Sequence, residues 1–190
     1  MASNWIEVAA VALALAYVVL AIYQQRICWL AAAISAALYV WIFAQVQLYL
    51  ESALQVFYLA MAGYGWVVWR RRTEVEDLAI TTRGRAFHGR VLMLILIGTL
   101  LMGIGAQSWT DAVYPFVDAL TTVSALIATW MTARKILENW LYWIAIDTVS
   151  IGLYLSRDLS LTAALFGGYV LLAIFGYRTW RWQWQHQTLR

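Results

Sequence analysis

Charge is scarce in this chain. Only 12% of its 190 residues are Asp, Glu, Lys or Arg, against 64% hydrophobic ones, whereas a soluble domain carries about a quarter charged residues. Proline occurs once, so long helices can run without interruption. A single cysteine, Cys28, excludes an internal disulfide framework, and with only His88 and His186 beside it there is no donor set for a structural metal. No Ser–His–Asp order, H-E-x-x-H motif or phosphate-cradling glycine loop occurs. The sequence therefore offers no catalytic residues, no metal site, no cofactor site and no ATP site. The pI near 9.1 does not mean nucleic acid here, because the basic residues cluster at the ends of apolar segments.

What the chain does have is apolar length, with a mean hydropathy of +0.70. Seven segments approach the roughly 20 residues that a bilayer requires: Trp5–Tyr23, Trp29–Gln45, Leu48–Trp69, Val91–Gly105, Tyr114–Met131, Trp140–Leu155 and Leu159–Tyr177. The first lacks a basic leader and a small-x-small cleavage site, so it reads as a retained span. The expectation is an all-α integral membrane protein with seven transmembrane helices. Placing the connections alternately on two sides leaves all basic residues but Arg157 on one face. By the positive-inside rule that face is cytoplasmic, with the N-terminus outside and the C-terminus inside.

A repeat accompanies this topology. Shifting the chain by 111 residues aligns Trp29 with Trp140, Tyr58 with Tyr169, Gly65 with Gly176, Trp69 with Trp180 and Arg70 with Arg181, without a gap. Three spans per repeat and one linker span give a 3+1+3 arrangement of parallel repeats: residues 1–70, a connection and linker helix over 71–108, and 109–190 with the tail. Such a plan predicts a substrate site near the midplane, between the repeats.

Polar stripes mark candidate walls of that site. In the sixth segment Asn139, Trp143, Asp147, Ser150 and Tyr154 share one helical stripe, with Trp140 beside it. An ionisable group at that depth costs about 2.5–3.5 kcal/mol on insertion scales, so it faces a cavity or a partner. The third segment aligns Gln55, Tyr58, Ala62 and Trp66, and the seventh presents Thr162, Phe166 and Tyr169 on the matching sector. Aromatic faces with a carboxylate suit a flat cationic ring. Interhelical packing is the competing reading, since amides and hydroxyls also join helices in membranes.

The motifs Q-L-Y-L-E-S-A-L-Q-V-F-Y…G-Y-G-W-V-V-W-R (47–70), E-N-W-L-Y-W-I-A-I-D-T-V-S-I-G-L-Y (138–154) and L-S-L-T-A-A-L-F…G-Y-R-T-W (159–180) carry a resemblance. Over nearly the whole chain the sequence is similar to the PnuC family of bacterial vitamin-precursor transporters. The resemblance implies a seven-span fold like that of a full-length SWEET with a different connection, in the bacterial inner membrane. It also implies facilitated diffusion of nicotinamide riboside, a homotrimer, and a cytoplasmic kinase that traps the product. Gln55, Trp66, Trp69, Asn139, Trp140 and Trp143 stand at the family's motif positions. Ala62 and Asp147 depart from it, each standing where asparagine is common, which keeps thiamine open as the substrate. The expected function is a uniporter working by alternating access, with a ligand held by Gln55, Tyr58, Trp66, Asn139, Trp140, Trp143, Asp147, Ser150 and Tyr169. The alternative of another class is a membrane scaffold or accessory subunit without transport.

Overall fold

A computed structural model describes residues 2–45, 49–70, 78–109, 113–156 and 158–187. Seven helices form among them: α1 (Ala2–Ile22), α2 (Cys28–Gln45), α3 (Tyr49–Val68), α4 (Arg85–Trp109), α5 (Pro115–Ala133), α6 (Asn139–Leu155) and α7 (Ser160–Gln187). The fold is all-helical; an isolated parallel bridge joins Thr81 to Ile136. The lone proline sits at the first position of α5, where its missing N–H leaves no hydrogen bond unmade. Five helices, α1, α2, α4, α5 and α7, are long and apolar enough to cross a bilayer. α3 adds the shorter apolar run Ser52–Val68. α6 has 17 residues, about 26 Å at 1.5 Å per residue.

Two helices outrun their apolar segments. α4 begins at Arg85 rather than Val91, and α7 continues ten residues past Tyr177 to Gln187. Hydropathy marks the part that lipid would cover, whereas Arg, Ala, Gln and Trp continue a helix into water without penalty. Arg71, Arg72, Arg157 and Arg190, which enter the charge distribution, lie outside the described residues.

The chain divides into two compact units, Met1–Ala79 and Ile80–Arg190. In the first, α2 packs against both α1 and α3. In the second, α4 packs on α5, α5 on α6 and α6 on α7, so α6 lies between α5 and α7. The helix expected as a linker thus belongs to the second unit. It meets α5 through Gly98 against Val123 and Gly103 against Phe116. Leu92, Leu94 and Leu101 of the same helix (the last 71% exposed) are apolar and uncovered, as a lipid-facing surface requires.

The two units build one kind of corner. Gln24 in the α1–α2 turn and Lys135 in the α5–α6 turn both adopt a left-handed backbone, at φ 53° and 50°. Gln24 N donates to Ala21 O and Gln25 N to Leu20 O; likewise Lys135 N donates to Thr132 O and Ile136 N to Met131 O. Beyond each turn a buried tryptophan meets a second one edge to face. Trp29 and Trp69 have centroids 5.5 Å apart and Trp140 and Trp180 5.4 Å, each pair at 89°. Each first tryptophan lies over a glycine, Trp29 over Gly65 and Trp140 over Gly176, with no room for a Cβ. Every corresponding pair is separated by the same 111 residues.

A short strap finishes the second unit. Thr81 N donates to Lys135 O at 3.0 Å and Leu137 N to Thr81 O at 2.8 Å. Arg83 N reaches Glu138 Oε1 at 3.2 Å. Ile80, nearly fully buried, is held at both backbone groups by the Gln187 amide near the end of α7. The α5–α6 turn is thereby covered by residues that precede α4.

Candidate functional site

The second unit holds the α6 stripe. Asn139 is fully buried, and Asp147 and Ser150 are each 5% exposed. Asn139 Nδ2 donates to Ile136 O at 2.7 Å, closing the turn from which α6 starts. Thr132 Oγ1 lies 2.9 Å from Ala128 O and 3.0 Å from Asn139 Oδ1, so its one proton is shared between them. Trp143 Nε1 donates to the same Thr132 oxygen at 3.4 Å. Asn139 and Trp143 therefore meet on one threonine of α5. Trp143, with Tyr142, also packs on the buried apolar cluster of Ala125, Ala128 and Ile146.

Asp147 stands one turn further along. Its carboxylate, though buried, has no hydrogen-bond or ion-pair partner among the described residues. A buried charge without a partner is costly in any protein interior. The Ser150 hydroxyl donates back to Ile146 O at 2.9 Å and retains its acceptor lone pairs. At the end of the stripe, Tyr154 stacks on Phe166 at 5.1 Å, and Phe166 meets Tyr169 edge to face at 5.9 Å. The polar stripe of α6 thus passes into an aromatic ladder on α7. Trp140 lies on a different side of α6, against Gly176 and Trp180.

The first unit holds the α3 residues. Gln55 and Tyr58 are half-buried, and Tyr58 meets Phe57 edge to face at 5.9 Å. Trp66 remains 36% exposed. The guanidinium of Arg26, from the α1–α2 turn, lies 3.6 Å from its ring centroid. The Glu51 side chain lies outside the described residues.

Sequence reading missed three contributors. Thr132 organises the start of α6, and its signal was available: Thr121, Ser124, Ala125, Ala128, Thr129 and Thr132 form a small, partly polar stripe at helical spacing. His88 lies before the apolar segment that starts at Val91, yet its Nδ1 lies 3.0 Å from Tyr142 Oη, with the two rings stacked at 5.9 Å. Arg26 is one of the basic residues of the face read as cytoplasmic, and nothing in its spacing marks the contact with Trp66. No group of three or more His, Cys, Asp or Glu side chains that could hold a metal ion occurs among the described residues.

What the stripe can do is limited and specific. It offers a carboxylate, hydroxyls and aromatic faces on largely buried side chains.

Comparison with known proteins adds the family. Residues 4–182 match the model of the family described as nicotinamide mononucleotide transporter. The chain is 26% identical over 204 residues to the nicotinamide riboside transporter PnuC of Escherichia coli (strain K12), covering 93% of this chain and 85% of that one. It is 25% identical over 130 residues to the riboflavin/roseoflavin transporter RibM of Streptomyces davaonensis, covering 66% and 61%. Its fold is similar to that in a crystal structure of the vitamin B3 transporter PnuC, with a TM-score of 0.76 at 20% identity over 96% of this chain and 83% of that one. With a family match over almost its whole length, this multi-pass membrane chain belongs to the nicotinamide mononucleotide transporter family, the family of the PnuC proteins.

Proposed function

We propose that this chain is an inner-membrane uniporter that takes up nicotinamide riboside by alternating access, with α1–α3 and α5–α7 as its moving parts. The observation that carries the reading is Asp147, a buried residue on the α6 stripe whose carboxylate has no partner among the described residues. A pyridinium ring supplies the missing positive charge, and aromatic faces such as Trp143, Trp66 and Tyr169 add about 0.5–2 kcal/mol per good cation–π contact. Gln55, Tyr58 and Ser150 have the donor and acceptor capacity to serve ribose hydroxyls and the carboxamide. Asn139 and Trp140 act through the helix they hold, because their own contacts are made within the protein.

Beside Asp147 the charge pattern favours the riboside over its mononucleotide. α6 contains no lysine or arginine, so a phosphate beside Asp147 would meet a like charge with no basic residue of that helix to offset it. Thiamine, likewise a cationic ring without a phosphate, is the alternative ligand. The basic-residue distribution supports a cytoplasmic C-terminus.

Calorimetry of the purified chain tests the substrate. Binding of nicotinamide riboside, with nicotinamide mononucleotide at least tenfold weaker, is the expected result. Preferential binding of thiamine, or of the phosphorylated form, would replace it.

A further inference from the structure

Arg26 is a cation where the binding chemistry asks for none. Its guanidinium lies 3.6 Å from the Trp66 ring centroid, in the range of a strong cation–π contact. Its Nε is buried without a hydrogen-bond partner, and no carboxylate of the described residues neutralises it. The ring it lies on is one of the aromatic faces assigned above to the ligand.

The corner itself does not need this arginine. In the second unit the equivalent position, 111 residues on, is Leu137, buried at 4% exposure, and Trp66 is matched there by Tyr177. The two corners nonetheless share their turn hydrogen bonds, their left-handed residue and their edge-to-face tryptophan pair. A leucine thus suffices to build the turn, and the cation is an addition confined to the first unit.

We infer that Arg26 is a specificity-determining residue: a tethered cation that competes with a cationic-ring ligand for Trp66. The inference rests on the proposed function, since it requires Trp66 to meet the ligand. The sign does not depend on which face the ligand uses. On the same face it must displace the guanidinium; on the opposite face, two cations share one ring quadrupole. A displaced guanidinium stays on its turn, close enough for charge repulsion in a low-dielectric setting to persist. An uncharged ring of the same shape escapes that repulsion.

The experiment compares nicotinamide riboside with its uncharged 1,4-dihydro form on the full-length purified chain, by calorimetry. Arg26→Leu is the principal variant, since the second corner already accommodates leucine. Arg26→Lys is the second, because a flexible ammonium stacks less well than a planar guanidinium. Arg26→Leu is expected to tighten binding of the riboside by roughly two- to thirtyfold, with a smaller gain for the dihydro form. Arg26→Lys should shift the same ratio in the same direction, by less. Equal gains for both forms, or no gain for either, would overturn the inference while leaving the proposed function standing. A wild-type chain that binds neither form would remove the proposed function, and the inference with it.

Discussion

Trp140 stands edge-on to Trp180, ring centroids 5.4 Å apart at 89°, and the contact requires Gly176 beneath the first ring. A Cβ on Gly176 would fall 2.8 Å from the Trp140 indole. Since neither ring is a flexible chain end, Gly176→Ala must move the α6–α7 contact. The expected cost is about 1–3 kcal/mol, seen as a lower unfolding temperature in detergent. Gly65→Ala should cost at least as much against Trp29, and Gly152→Ala, with open space around it, should cost little. Equal stability of all three variants would refute the shared corner.

Asn139 and Thr132 form the polar counterpart of that corner. Truncating Asn139 to alanine removes the side-chain donor to the Ile136 carbonyl and one of the two acceptors that share the Thr132 proton. A loss of about 0.5–1.5 kcal/mol is expected, the usual net worth of an intramolecular hydrogen bond. Thr132→Val should show a comparable loss, and the double variant less than the sum, because both changes remove one network. Additive losses in the denaturation series would place the two residues in separate networks.

The number and type of the helices were legible in the sequence because the bilayer imposes a length and a polarity that survive without an alignment. The tryptophan–glycine corner was legible too, as matched Trp29 and Trp140, Gly65 and Gly176, Trp69 and Trp180. Its geometry was not: no period says that Trp140 turns toward α7 while Asn139 turns toward Thr132. Of the candidate ligand residues, Asn139, Trp143, Asp147 and Ser150 do lie along α6, but the amide proves to be engaged at the start of its own helix. The strap escaped notice because Ile80–Arg83 has no periodicity at all; its hydrogen bonds go to residues more than fifty positions away.

That strap yields its own prediction. Gln187→Ala frees both backbone groups of Ile80, and Tyr142→Phe removes the hydrogen bond to His88, in α4 just after the strap, while keeping the ring stack. Each should cost about 0.5–1.5 kcal/mol and raise the rate of proteolytic cleavage within 78–84. Unchanged cleavage in both variants would show that the strap is held by its Thr81 and Arg83 contacts instead.

Asp147→Asn separates binding from packing. Removing a buried carboxylate that has no partner among the described residues relieves a desolvation cost, so stability should hold or rise. Affinity for a cationic riboside should fall by roughly 10- to 150-fold, the worth of a hydrogen bond to a charged group. A destabilised variant with unchanged affinity would assign Asp147 to helix packing, as a scaffold protein requires.

Counterflow in proteoliposomes tests the transport reading most directly. Vesicles containing this chain and preloaded with unlabelled nicotinamide riboside should accumulate the labelled riboside transiently, saturably and without an ion gradient, and Asp147→Asn vesicles should do so far more slowly. Flux no greater than in empty vesicles, or flux only under an imposed proton or sodium gradient, would contradict a uniporter for this vitamin precursor.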